Sequence, residues 1–473
     1  MNRVFGLDLR SLALLRVGIG LMLLVDLAVC AGDLRAHYTD FGILPRAELG
    51  LYTFRTVWTL HGFASPYPAL VASLFALAAG FAVALIVGWH TWLATFGSWL
   101  LLASLQYRNP ALVFGGDVML RMLLFWGLLL PLGARGSIDA RRDPSRFPRS
   151  NQYASVASAA LIAQLLLVYV FSVLNRTGPT WWNGDALFYA LHFDQFASRF
   201  GIWLRPHEAW LAPMTYVAIW FEALGPLLAL VPIANGALRT LAVLLFVGFH
   251  VTLGLLFNIG IFPGVFSVAW IGMLPAWFWQ RFGARESEPA AETQASRWRW
   301  NGAREALAAV ALAFVLLSNL STVRGGALAD RFPNNWDLPA QLVYIDQLWG
   351  LFSPDPAIYD GWYAFMGVQH DAKEVNPFWL GQPVGFEKPP VVSETMNIRW
   401  REFFFRLQRD ANDPRWASFG RWLCRAWNER HDGPEHLDRA YVYYVEETTT
   451  RPVPRRGNIL TLMAHECATD EPH

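Results

Sequence analysis

Long apolar runs dominate the first two thirds of the chain. Stretches near the roughly 20 residues that cross a bilayer lie at Leu9–Cys30, Pro68–Val87, Thr91–Gln106, Val118–Leu132, Ala154–Leu174, Pro213–Pro232, Leu238–Asn258, Phe262–Trp279 and Ala306–Val323. The third and fourth are the shortest. They predict a polytopic helical bundle of about nine transmembrane helices over residues 1–323. Val87–Thr91 is a tight turn, so the second and third spans should form a helical hairpin.

From Arg324 the pattern changes. Apolar runs shorten, and Pro, Asp, Asn and Trp become frequent. Residues 324–473 are enough for one core and read as an α+β extramembrane domain. Asp413-Pro414 is an N-cap with Pro at the first helical position, and Asp432-Gly433 is a stop. Between them Trp416, Phe419, Trp422, Leu423 and Trp427 recur at helical spacing. Asn397–Arg409 also reads as helix. Trp362–Gln369, Ala440–Thr448 and Asn458–Ala464 read as strands.

Composition sharpens this picture. The 473 residues are 54% hydrophobic and 16% charged, against about 25% charged in an ordinary soluble domain. With 23 Trp and 33 Phe, the chain is an integral membrane protein whose surroundings are lipid. A net charge of +1 gives no basic field for nucleic acid. The only lysines are Lys373 and Lys388, and neither sits in a Walker A loop. No G-x-S-x-G elbow or H-E-x-x-H pair occurs. Cys30, Cys424 and Cys467 are too few for a disulfide framework or a cysteine metal cage. One bond, Cys424 to Cys467, is open to the tail.

Loop charge sets direction. Arg135, Arg141, Arg142, Arg146 and Arg149 cluster in one loop, and Arg281, Arg285, Arg297, Arg299 and Arg304 in another. With nine spans both fall on one side, which the positive-inside rule makes cytoplasmic. The expectation is a multi-pass protein of the cell (inner or plasma) membrane, N-terminus inside, C-terminal domain outside. Two outward loops, Gly32–Tyr67 and Asn175–Ala212, are rich in aromatics and read as interfacial caps, the second with an amphipathic piece at Ala186–Phe200. Glu286–Arg297 reads as a cytoplasmic linker.

Four stretches carry a resemblance. They are Arg16–Asp26 followed by His37-Tyr38-Thr39-Asp40-Phe41-Gly42; Phe114-Gly115-Gly116-Asp117 with Arg121; Asn175-Arg176-Thr177-Gly178-Pro179-Thr180-Trp181-Trp182-Asn183-Gly184; and Phe249-His250 through Asn258-Ile259-Gly260-Ile261-Phe262. In order and spacing they resemble the HTTM (horizontally transferred transmembrane) family, which includes vitamin K-dependent gamma-carboxylase. Trp349-Gly350-Leu351-Phe352-Ser353-Pro354 with Gly361-Trp362 looks like bacterial members. The resemblance implies a membrane bundle with an outward soluble domain. It implies a reduced quinone oxidised with oxygen to a strong base, and an exported peptide or protein as substrate. The carboxylase's initiating base is a Lys, where this chain has Arg176. A second departure is Leu253, where the carboxylase has Asn. Lys can be tuned towards neutrality by burial, whereas Arg stays protonated. Arg176 can still hold an anion bidentately.

Ionisable groups within the spans are costly and are functional candidates. Arg16 and Asp26 stand ten residues apart on the first span, about 15 Å along a helix, so each needs a partner on another span. Asp117 and Arg121 have the i,i+4 spacing of a pair. The plain reading of these four is a structural ion network. Glu222, His250 and Arg176 can converge on an outward cavity as a catalytic set, with Trp181, Trp182, His192 and Asn258 binding substrate or cofactor. A satisfied core histidine is the competing reading of His250 and His192. No two histidines have metal-ligand spacing, so no metal is expected.

Two functions fit. One is a carboxylase-like membrane enzyme with altered chemistry, acting on an exported peptide or a lipid-soluble quinone-type substrate. The other is a non-catalytic maturation or chaperone factor for an exported protein. A transporter trails, since no inverted repeat or matched broken helices occur.

Overall fold

The computed structural model describes residues 2–49, 58–283, 301–323, 332, 336, 338–410, 412–451 and 454–467. The linker expected at Glu286–Arg297 lies outside the described residues, as does the start of the tail at Arg324.

Helices occupy all the apolar stretches: α1 (Leu9–Gly32), α2 (Pro68–Val87), α3 (Thr91–Arg108), α4 (Gly115–Leu128), α5 (Val156–Asn175), α6 (Glu208–Leu224), α7 (Asn235–Leu256), α8 (Phe262–Ile271) and α9 (Asn301–Ser321). Local chemistry fixes several ends. The Asp8 carboxylate caps α1 by accepting from the Arg10 N–H. Ser155 and Ser158 form a reciprocal capping box on α5. The α2–α3 turn needs glycine: Gly88 has φ +69, and a Cβ there would stand 2.6 Å from an Arg16 nitrogen.

Six of these helices are long and apolar enough to cross a membrane: α1, α2, α5, α6 with its 3-10 extension to Ala229, α7 and α9. The other three predicted spans are shorter helices of 18, 14 and 10 residues. In α4 the cause is local, because Asp117 accepts from the Phe114 N–H and starts the helix at Gly115. The amphipathic piece Ala186–Phe200 is two short helices, Ala186–His192 and Arg199–Leu204, rather than one.

In the tail, β1 (Tyr359–Gln369), β2 (Glu374–Val375), β3 (Leu437–Thr448) and β4 (Arg455–Glu466) form one antiparallel sheet in the order β2-β1-β3-β4. Trp362 faces Val445, and Val442 faces Met463. Two helices accompany it, α10 (Ile398–Leu407) and α11 (Arg415–Asn428). Asn397 caps α10 by accepting from the Arg399 and Trp400 N–H groups. A disulfide joins Cys424 of α11 to Cys467 beyond β4; Cys30 is free and buried.

Bundle and tail share their cores. Ala340, Ile345 and Trp349 pack among the buried side chains of α1, α4, α5 and α8. Tyr363, Phe365, Trp400 and Phe404 belong to a second core with Cys30, Tyr38 and Phe75. Residues 338–355 therefore run through the bundle before the sheet begins.

Candidate functional site

Arg176 stands at the C-terminal end of α5, where a cation is favoured by the exposed carbonyls. Its Nη1 donates to Glu222 Oε1 of α6 at 2.9 Å, and both side chains are buried. Its guanidinium lies 4.0 Å from the Trp181 ring centroid, a cation–π contact strengthened by exclusion of water. The segment before the sheet closes over this centre. The Trp349 carbonyl accepts from Asn175 Nδ2 at 3.2 Å, and the Phe352 carbonyl from Trp181 Nε1 at 3.0 Å. The Pro354 carbonyl accepts from the Gly178 N–H, and Asp355 from the Thr180 N–H. A Cβ on Gly178 would overlap the Asp355 carboxyl, so glycine is required by this close approach. Trp182 donates to the Arg176 carbonyl at 3.1 Å while its ring remains half exposed.

His250 sits one helix away. Its Nε2 is 2.7 Å from the Tyr169 hydroxyl, which accepts from Trp270 Nε1 at 2.6 Å. Trp can only donate, so the phenol proton is available to Nε2, which assigns the imidazole proton to Nδ1. That Nδ1 has no hydrogen-bond partner among the described residues, and His250, Tyr169 and Trp270 are all buried. The structure thus brings Arg176, Trp181 and Glu222 into contact and places His250 in a separate hydrogen-bonded group with Tyr169 and Trp270.

Asn258 and His192 lie elsewhere. Asn258 holds the tail: Nδ2 donates to the Ser393 carbonyl at 3.0 Å, and its own carbonyl accepts from Arg401 at 2.7 Å. His192 is 2.8 Å from the Phe188 carbonyl and packs at a tilt against the Phe188 ring. Burial holds its pKa below the ordinary imidazole value.

Beside His192 is a charged cluster that sequence reasoning missed. Lys388 Nζ stands 2.6 Å from both Asp194 Oδ2 and Glu447 Oε1. Asp360, fully buried, accepts from the Asp194 N–H. Burial raises the Asp360 carboxyl well above the usual range. Burial would lower Lys388, but Asp194 and Glu447 outweigh it and raise its pKa. Lys388 is therefore held as an ammonium and does not replace a neutral amine. The rarity of lysine was the available signal.

The four-residue network is corrected. Asp117 and Arg121 do not pair, despite their spacing. Arg121 reaches Gln106 at 2.9 Å and Asp346 of the tail at 3.1 Å. Arg16 meets backbone, donating to the carbonyls of Leu85, Ile86 and Gly136. Asp26 and Asp117 are instead bridged by Arg399 of α10. Its guanidinium grips both Asp117 oxygens, at 2.5 and 2.9 Å, and also bonds Asp26. The carboxylates were visible in the spans; their cation lay some 280 residues further along the chain or more. Among the described residues, no group of three or more His, Cys, Asp or Glu side chains could hold a metal ion.

Neither the curated proteins nor the solved structures include a match to this chain. A family model described as HTTM domain matches residues 6–277, which takes in α1 to α8 and both Arg176 and Glu222. This multi-pass helical membrane protein belongs to the HTTM family.

Proposed function

We propose that this chain is a carboxylase-like membrane enzyme with altered chemistry. It acts on an exported peptide or a lipid-soluble, quinone-type substrate, with the tail outside the cytoplasm. The observation that carries the reading is the buried Arg176–Glu222 pair with Trp181. A guanidinium stays charged at any working pH, so Arg176 does not start the reaction as an amine base would. Its role is to orient Glu222 and to hold negative charge. Glu222 is the proton acceptor of the pair, and His250, hydrogen-bonded to Tyr169, is the other candidate base. The Cys424–Cys467 disulfide supports an oxidising compartment for the tail, as does arginine clustering on the opposite loops.

A second reading, a non-catalytic maturation factor, is favoured by one feature. The Trp349–Asp355 segment already occupies the hydrogen-bonding groups around Arg176.

The test is quinone epoxidation, with reduced vitamin K and oxygen, by the purified natural chain and by Arg176→Lys. No epoxide from the natural chain, and epoxide from Arg176→Lys, supports an otherwise intact site with altered chemistry. Natural-chain epoxidation that persists in Arg176→Ala overturns the assignment of Arg176 and Glu222. Extraction and mass spectrometry then separate the readings, since a co-purified quinone-type lipid favours the enzyme over the maturation factor.

A further inference from the structure

A second buried centre, sharing no residue with the Arg176–Glu222 pair, borders a cavity of about 370 Å³. That volume is within the range of small-molecule sites, roughly 300–1,000 Å³. Its walls are mostly apolar or glycine: Met22, Val25, Phe114, Gly260, Gly264 and Ile398 among them. Among the described residues, the charged side chains lining it are Asp26 and Arg399, both more than nine-tenths buried.

One wall of the cavity, Val25, reaches the outer face of α1. Val25 lies on the stripe of α1 that also exposes Leu14 and Leu21, residues spaced by seven and four and hence on one helix face. In a membrane bundle that face meets lipid. Asp26 stands in the last third of α1, and α10 of the tail closes the cavity at this end. The charged floor is thus near the depth where head groups sit. Two glycines keep the space open. Gly260 has φ +59 and its Cβ would meet Phe114 at 3.0 Å, while a Cβ on Gly264 would meet the Met22 sulfur at 2.7 Å.

The floor selects a head group. Arg399 engages Asp26, Asp117 and the Leu112 carbonyl through its two terminal nitrogens, and its buried Nε has no partner among the described residues. One guanidinium between two carboxylates leaves the cluster formally negative. An anionic head meets that repulsion and can only accept hydrogen bonds. An ammonium can only donate, so it leaves the buried Arg399 Nε without an acceptor and must shed its own hydration to enter an apolar site. A hydroxyl both donates and accepts, so it can give its proton to Asp26 and receive one from Arg399 without bringing a charge into an apolar site. We propose that this lateral cavity binds a neutral, hydroxyl-headed amphiphile of the bilayer, with its hydroxyl on Asp26 and Arg399 and its apolar body between α1 and α8.

The test uses the full chain in phosphatidylcholine nanodiscs and three diazirine-bearing C16 probes: an alcohol, a monoalkyl phosphate and a primary amine. After photolysis, labelled peptides are located by mass spectrometry. The alcohol should label Met22–Val29 and Gly260–Gly264 about ten-fold more than the phosphate or the amine, a preference of about 1.4 kcal/mol. Unlabelled hexadecanol should displace it. Gly264→Leu, which fills the cavity and leaves the charges untouched, should lose most of this labelling. Asp26→Asn removes the excess negative charge, so the alcohol-over-phosphate preference should fall towards unity. Equal labelling of the natural chain by all three probes overturns the proposal, as does alcohol labelling that a well-folded Gly264→Leu retains. Free lipid alcohols and hydroquinone-type phenols share the head chemistry; displacement of the probe by farnesol against displacement by a hydroquinone distinguishes these sources. If Gly264→Leu does not fold, the probe comparison and hexadecanol displacement on the natural chain decide alone.

Discussion

The two buried arginine centres are built differently. Arg176 and Glu222 both come from the family's bundle, and the tail meets Arg176 and Trp181 through backbone carbonyls. Arg399 comes from the tail and satisfies two carboxylates of the bundle at once. In the first centre one cation balances one anion, and a tryptophan ring adds a further favourable contact. In the second a single cation is shared, so the docking of α10 and the neutralisation of α1 and α4 are one event. The tail is thereby part of the bundle's electrostatics, not an appendage.

The sharpest way to break this comparison is to remove the two cations. Arg399→Leu strands two buried carboxylates. Removing one partner of a buried pair costs about 3–5 kcal/mol, and this variant should stand at or above the top of that range, with the tail undocking. Thermal unfolding in nanodiscs, with limited proteolysis of the tail, measures it. Arg176→Leu strands only Glu222 and should cost about 3 kcal/mol. The double variant Arg176→Leu/Glu222→Leu should recover most of that loss. An Arg176→Leu more damaging than Arg399→Leu would reverse the ranking and make the local pair the structural one.

A pH scan sharpens the role of α10. Burial raises the Glu402 carboxyl to about 7, against the opposing pull of Arg406 and with Asp117, Arg401 and Arg399 nearby. Its folded value lies above the ordinary carboxylate value, so its contribution is present at low pH and is lost as pH rises through about 7. Stability should decline by a few kcal/mol at most between about pH 4.5 and 8, and Glu402→Gln should flatten that decline. Asp360 pushes in the same direction, so the readout is the difference between the natural chain and the variant. The smallest effect is expected from Tyr169→Phe, which leaves His250 Nε2 and Trp270 Nε1 without their shared partner. About 1–3 kcal/mol is the usual cost of a buried group left unpaired. A change in epoxidation by Arg176→Lys on adding Tyr169→Phe would tie His250 to the chemistry; unchanged turnover with lower stability would leave it a core histidine.

Much of the architecture was legible along the chain. Uninterrupted apolar runs specify membrane helices without reference to partners, because lipid rewards apolar length whatever lies beside it. Helix α11 was legible from its start signal, although Pro414 and not Asp413 stands at the N-cap, and the Asp413 carboxylate accepts from the Arg415 N–H. The strands were placed within a few residues of their ends. Arg176 was legible as a departure, because guanidinium chemistry is fixed by the residue itself. The Asp117–Arg121 pair was misjudged because i,i+4 spacing permits a contact without compelling it. Each side chain found a partner on the tail that better satisfied its buried charge.

By itself, then, the sequence determined what depends on near neighbours: the positions of the apolar helices, the basic loops, the charge of Arg176 and the shortage of lysine. Tertiary structure alone decided which charge meets which. Asp26 and Asp117 carry no local mark of Arg399, nor Arg121 of Asp346, nor Asp194 of Lys388. Buried charges must be paired wherever the fold brings an opposite one within reach. That reach is set by packing, here by a tail whose Trp349 and Arg399 lie inside the bundle they follow in sequence.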